Sequence, residues 1–221
     1  MIRIIKEFIP GLPNCLVVGA LRFFSLFSFI SKKRQTRNAD ANRMFLEKSG
    51  CVTEDGFIEN QHAMKEMPFG RTDMAYAGCE IIAVYNALLS LGCKRDLPEL
   101  INIFEKRGSV FGGRFGTSPY ALYRYLKKTV GSVSFSFRRK DFERIAAESR
   151  VFIITYYNDA RDIMQQIHTV CVTKDPEDGM HPHNACSNNK DIHSVEGLEK
   201  GLGVQGRGKI IFMTGIKQNK E

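Results

Sequence analysis

Cys79 heads the run "CEIIAVYNALLSLG", directly after Gly78, where Ile82, Tyr85, Leu88 and Leu89 recur at helical spacing. A thiol at a helix N-terminus meets backbone N–H groups that lack intrahelical partners and the positive end of the macrodipole. Its anion is favoured there. A cysteine that ordinarily titrates near about 8.5 can fall several units in that setting, especially beside an imidazolium. Gly78 suits a tight entry into the helix and leaves room for a substrate backbone. The competing reading of Cys79 is a small hydrophobe on an apolar face.

A thiol nucleophile needs a base close to it in space. Among the five histidines, His168 begins the alternating segment "HTVCV" and shares the parity of Val170 and Val172. That parity is expected to carry the core, so the imidazole is expected to face the helical part of the domain. Beyond the turn "DPEDG", "HPHNAC" (His181 to Cys186) is expected to form the adjacent antiparallel strand. Asn184 then comes within reach of His168, where its side-chain carbonyl could accept the ring N–H and fix the tautomer. Asn184 is equally a residue type used in turns.

Other segments must hold these groups. "RDLPELINIFEKRG" reads as a helix capped by Asp96, with Pro98 in its first turn and Gly108 as its stop. "GTSPYALYRYLKKTVG" reads as another, with Ser118 as cap, Pro119 at the first helical position and Gly131 at the end. "SVSFSF" (Ser132 to Phe137) alternates with period two, as a strand with one wet face does. A short helix "DFERIAAES" follows, then strands "VFIITYY", "IHTVCVT" and "KIIFMTGI", with a short helix in "SVEGLEKGLG". Helices first and strands later predict an α+β domain whose antiparallel sheet packs against a helical half.

The order of cysteine at a helix start, histidine at a strand start and asparagine on the next strand resembles the papain-like cysteine peptidases. "GCEIIAVYNAL", "IHTVCVTK" and "HNA" look closest to the bacterial branch related to bacteriocin leader peptidases, over roughly Gly70 to the C-terminus. The resemblance implies a papain-like fold, peptide or isopeptide cleavage through a Cys79 thioacyl intermediate, His168 as base and acid, and Asn184 as orienter. It also implies a side-chain amide donor for the oxyanion six residues before the cysteine. Asp73 stands there, and a carboxylate repels an oxyanion. Thr72, Arg71, Tyr76 and the Cys79 N–H are the remaining candidate donors. Asp73 favours a second reading, a non-catalytic papain-like module that binds a peptide or protein. A third is an acyltransferase using the same Cys/His pair. Glu80 reads as a first-turn carboxylate that favours the helix N-terminus.

Other clusters carry weaker signals. His181, His183 and Cys186, with Cys171 or His168, have metal-ligand residue types, but their spacing on one strand does not suit a tetrahedron. "FGGRFGTS" is glycine-rich before a helix yet lacks a phosphate-loop pattern. Tyr120, Tyr123 and Tyr125 read as packing residues of an amphipathic helix. No cofactor is indicated.

A chain of 221 residues with 43% hydrophobic and 25% charged residues is ordinary for one globular domain. The net charge of +8 concentrates in "SKKRQTR" and "FRRK" without the aromatic interleaving of a nucleic-acid groove, so no nucleic acid is expected. Six cysteines without a CxxC pair fit a reducing compartment. Phe8 to Ile30 is almost wholly apolar and is followed by Lys32, Lys33, Arg34 and Arg37. Its length suits a membrane span, whereas Pro10, Pro13 and Arg22 oppose one. Membrane contact is one reading, and packing on the chain's own domain or on a partner is the other. The boundaries expected are 1–43 for this segment with its basic flank and 44–217 for the peptidase-like domain. The expected location is cytoplasmic, at the inner face of a membrane if the segment anchors there.

Overall fold

The computed structural model describes residues 12–46, 51–158, 167–175, 179–185, 192–204 and 208–217. Five strands form one antiparallel sheet: β3 (Val133–Ser136), β4 (Ser149–Tyr157), β5 (Ile167–Asp175), β6 (Gly179–His183) and β7 (Lys209–Lys217), in the order β3-β7-β4-β5-β6. A two-stranded hairpin, β1 (Pro68–Phe69) with β2 (Thr72–Asp73), precedes it. The architecture is a mixture of helices and antiparallel sheet, as α+β patterning predicts.

The helical stops and starts read from sequence sit where the chemistry requires. Helix α4 (Cys79–Ser90) follows the short α3 (Met74–Ala77), and α5 (Leu97–Lys106) begins with the Asp96 carboxylate accepting the Glu99 N–H at 3.1 Å. Helix α6 (Pro119–Val130) ends at Gly131, whose φ of 78° is left-handed. Ser118 occupies the position before α6, but its hydroxyl makes no cap bond. Two shorter helices, α7 (Phe142–Glu148) and α8 (Val195–Gly201), interrupt the strand-rich half.

The sheet is covered on both faces. Val151, Ile153 and Cys171 share a core with α4, α5 and α6, while Phe152, Ile154, Tyr156, Val170 and Val172 share another with α7 and α8. Val170 and Val172 therefore look away from α4, contrary to the expected parity. When both faces are buried, both parities are apolar and alternation ceases to tell one face from the other.

The N-terminal segment belongs to the same body. Helix α1 (Asn14–Ser25) buries Val17 against Tyr157 and Ile211, and Val18 against Tyr123 and Phe212. Arg22, costly inside a bilayer, lies over the Tyr120 ring at 4.4 Å. Helix α2 (Lys32–Leu46) crosses the boundary drawn at 43/44 and buries Asn38 and Asn42 instead of an apolar stripe. Asn38 Nδ2 donates to the Gly70 carbonyl and to Glu105 Oε1, and Asn42 Nδ2 donates to the Pro68 carbonyl. Among the described residues no helix is long and apolar enough to cross a membrane. Residues 8–11 of the apolar run, and 176–178 of the "DPEDG" turn, lie outside the described residues.

Candidate active site

Cys79 is the first residue of α4, and α4 lies along β5. Gly78 is dictated by packing: a Cβ there would fall 2.5 Å from the Met74 carbonyl oxygen. Cys79 is 7% exposed, and its thiol donates to Glu80 Oε2 at 3.1 Å. Glu80 is itself buried, and its carboxylate also accepts the N–H groups of Glu80 and Thr117. The loop before α6 closes over it. A Cβ on Gly116, which has a φ of +69°, would approach Oε2 to 3.0 Å.

Burial pushes Glu80 up to about 7. It also raises Cys79 well above the usual thiol range; the Glu80 charge and hydrogen bond add to this, and Thr169 opposes it. The expected lowering of the Cys79 thiol by the helix terminus is thus reversed. Desolvation plus an adjacent carboxylate outweighs about half a unit of dipole charge. Thr169, the thiol's neighbour on β5, hydrogen-bonds Thr155 of β4 through their hydroxyls at 2.9 Å.

His168 is the second residue of β5, opposite Tyr156 of β4, with the two rings edge to face at 5.8 Å. This pair shares its face with Ile154 and Val170, and Thr169 shares the other with Thr155. The thiol meets Thr169, while His168, the preceding residue, has the alternate parity that it shares with Val170, and no hydrogen bond joins thiol and imidazole. The misread parity of β5 is the reason. His168 Nε2 lies 2.9 Å from the Asn184 backbone carbonyl. A carbonyl only accepts, so Nε2 carries the proton and Nδ1 is left as the basic nitrogen. Burial lowers the imidazole's pKa, the Asn184 carbonyl raises it and His62 lowers it again. The ring is neutral at pH 7.

Asn184 orients His168 through its backbone carbonyl and not, as its side-chain chemistry predicts, through its amide. It follows β6 in a left-handed conformation, φ 59°, which asparagine tolerates. Its side chain pairs with Gln61: Oδ1 accepts the Gln61 N–H, and Nδ2 donates to Gln61 Oε1, both at 3.0 Å. Gln61 Nε2 in turn donates to the Ala75 carbonyl of α3 at 2.9 Å. The Asn184 N–H donates to Glu59 Oε2 at 2.7 Å, and Glu59 Oε1 lies 2.5 Å from His183 Nδ1. This chain of bonds ties the end of β6 to the turn just before Cys79.

The candidate oxyanion residues are occupied elsewhere. Asp73 caps α3, accepting the Tyr76 N–H at 2.8 Å. The Thr72 hydroxyl donates to the Phe69 and Gly113 carbonyls at 3.1 and 3.2 Å. His183 uses both ring nitrogens, on Glu59 and on the Thr173 hydroxyl, and stacks on Phe57 at 4.1 Å. Among the described residues no group of three or more His, Cys, Asp or Glu could hold a metal ion, and Cys186 lies outside them.

Sequence reading assigns no chemistry to Glu80, Thr169 or Gln61. The one signal is Glu80 itself, an acid inside the apolar run "CEIIAVYNALL". Comparisons with protein-family models, curated proteins and solved structures found no match for this chain.

Proposed function

We propose that this domain is papain-like and works as a cysteine peptidase-like hydrolase, with Cys79 as nucleophile and His168 as base and acid. The observation that carries the reading is the placement of the Cys79 thiol. It sits at the start of α4 against Thr169, the residue next to a histidine whose bare Nδ1 is fixed by a backbone carbonyl. At rest the thiol and the imidazole are both neutral, and Glu80 holds the thiol proton in a hydrogen bond. A peptide entering the site must bring Nδ1 within reach of the thiol; catalytic contacts of this kind commonly tighten only in the substrate complex.

The chemistry then runs in two balanced stages. Nδ1 takes the thiol proton as sulfur adds to the scissile carbonyl carbon. The imidazolium returns that proton to the leaving amine as the C–N bond breaks, leaving a thioester on Cys79. Water, deprotonated by the same nitrogen, adds to the thioester carbonyl, and the sulfur leaves as thiol. An amine or thiol in place of water gives the acyltransferase reading. The Cys79 N–H at the start of α4 is the donor this reading assigns to the oxyanion, since the Glu80 N–H is held by its own carboxylate and Asp73 and Thr72 are engaged.

A second reading is favoured by a specific observation. Cys79 meets Thr169, whereas His168 has the opposite parity on β5 and makes no hydrogen bond to the thiol, which suits a papain-like module that binds peptide without cleaving it. Alkylation with iodoacetamide, followed residue by residue across pH, separates the two. The hydrolase reading predicts that a bound peptide shifts the Cys79 profile to lower pH and that His168→Ala abolishes the shift. A profile unmoved by peptide in both proteins supports the binding module.

A further inference from the structure

The exposed large apolar side chains are not scattered. Among the described residues, seven of the eleven belong to the end of α1, the segment after it and the loop between α5 and α6. Phe23 packs its ring on Phe24 and Phe27, at 5.6 and 5.0 Å. Phe24 meets Phe111 at 4.8 Å, and Phe111 meets Phe115 at 5.6 Å. Phe29, 78% exposed, lies two residues after Phe27 in the same segment. Isolated exposed hydrophobics need no explanation, but a contiguous aromatic face does.

The face is held in shape. Ser28 Oγ accepts the Gly112 N–H at 2.7 Å and hydrogen-bonds Ser109 Oγ at 2.7 Å, joining the segment after α1 to the loop. Phe111 has a φ of 49°, a conformation that aromatic residues rarely adopt, and it presents a 41% exposed ring. The segments that build the face carry charge of one sign. Residues 12–37 and 106–118 contain no Asp or Glu, while Lys32, Lys33, Arg37 and Arg114 are exposed.

We infer that this face is an interfacial docking site for an anionic lipid bilayer. The aromatic rings enter the headgroup boundary, and the lysines and arginines pair with lipid phosphates. Arg22, though exposed, lies over the Tyr120 ring, one turn from the buried Val18, where its charge is held against α6. The inference is independent of the catalytic reading. It replaces a membrane-spanning role for the apolar run with one in which α1 is part of the domain and only its outer side meets lipid.

The experiment is flotation of the full chain with vesicles of phosphatidylcholine alone and of phosphatidylcholine with phosphatidylglycerol. The chain contains no tryptophan, so Phe115→Trp provides a single fluorescent reporter. Binding to the anionic vesicles is expected, weakening as salt rises. Phe27→Ser/Phe29→Ser and Lys32→Glu/Lys33→Glu should each lower partitioning by roughly tenfold or more while keeping the wild-type melting temperature. The indole emission of the Phe115→Trp protein should shift to the blue and be quenched by brominated lipid. The inference is overturned if the chain stays off anionic vesicles, or binds both compositions equally and regardless of these substitutions. It is also overturned if light scattering finds a dimer that Phe27→Ser/Phe29→Ser converts to monomer without vesicle binding, since a second copy would then be the occupant.

Discussion

Cys79 and Glu80 form a buried acid pair in which burial makes both groups hard to ionise. Glu80 is the tractable member. Its carboxyl, ordinarily near 4.5, is pushed up to about 7 by burial, although the thiol's hydrogen bond pulls the other way. Between those values the unfolded chain has lost the proton and the folded chain still holds it, so folding stability falls as pH rises. Above about pH 7 the full cost is present, roughly 3 kcal/mol for a shift of this size. Glu80→Gln removes the titration. Its melting temperature relative to wild type should therefore climb between pH 4.5 and 7 and level off above, as read by calorimetry across that range. The same substitution removes the carboxylate that raises the thiol. Cys79 should then alkylate faster than in wild type above about pH 7, where Glu80 carries its charge, while the exposed Cys15 and Cys93 keep their rates. An unchanged Cys79 rate would show that burial alone holds the thiol protonated.

At the scale of elements, the loop before α6 closes over Glu80, and helix α2 ties the β1–β2 hairpin to α5. Gly116→Ala adds a Cβ against Glu80 Oε2 and forces a left-handed backbone on alanine. Denaturant unfolding should show a loss of about 1–2 kcal/mol, together with a change in the Cys79 alkylation profile that a distant destabilising substitution would not produce. Asn38→Ala leaves the Gly70 carbonyl and the buried Glu105 carboxylate short of a donor. A loss of about 2 kcal/mol is expected in the same measurement. The helices differ in how far the sequence announces them. Asp96, Pro98 and Gly131 carry capping chemistry, so α5 and α6 are legible nearly to their ends. Helix α2 is not, because "KKRQTRNADANRMFL" buries two asparagines and shows no apolar period to find. The two-residue strands β1 and β2 are too short to leave any alternation.

The whole molecule sets its five-stranded sheet between two layers, and that arrangement explains both what the sequence conveys about the site and what it hides. Chain order places Cys79 and His168 in neighbouring elements, with Asn184 just past the end of β6 and not on it, since a helix start and a two-stranded hairpin are local features. The face on which His168 lies is global information, set by α7 and α8 covering the second side of the sheet. The N-terminal segment is likewise part of the whole. A chain beginning at Ser31 would uncover Tyr157, Ile211 and Phe212. It should lose several kcal/mol of stability in urea unfolding and bind a hydrophobic dye, whereas an appended anchor could be removed without either effect.

The central claim is that Cys79 attacks a peptide carbonyl. The most direct test exposes the native chain to a pool of peptidyl acyloxymethyl ketones and maps the adducts by mass spectrometry. The account predicts a single adduct on Cys79, lost in His168→Ala and retained in Cys93→Ser. Adducts confined to the exposed Cys15 and Cys93, with Cys79 unmodified, would contradict it.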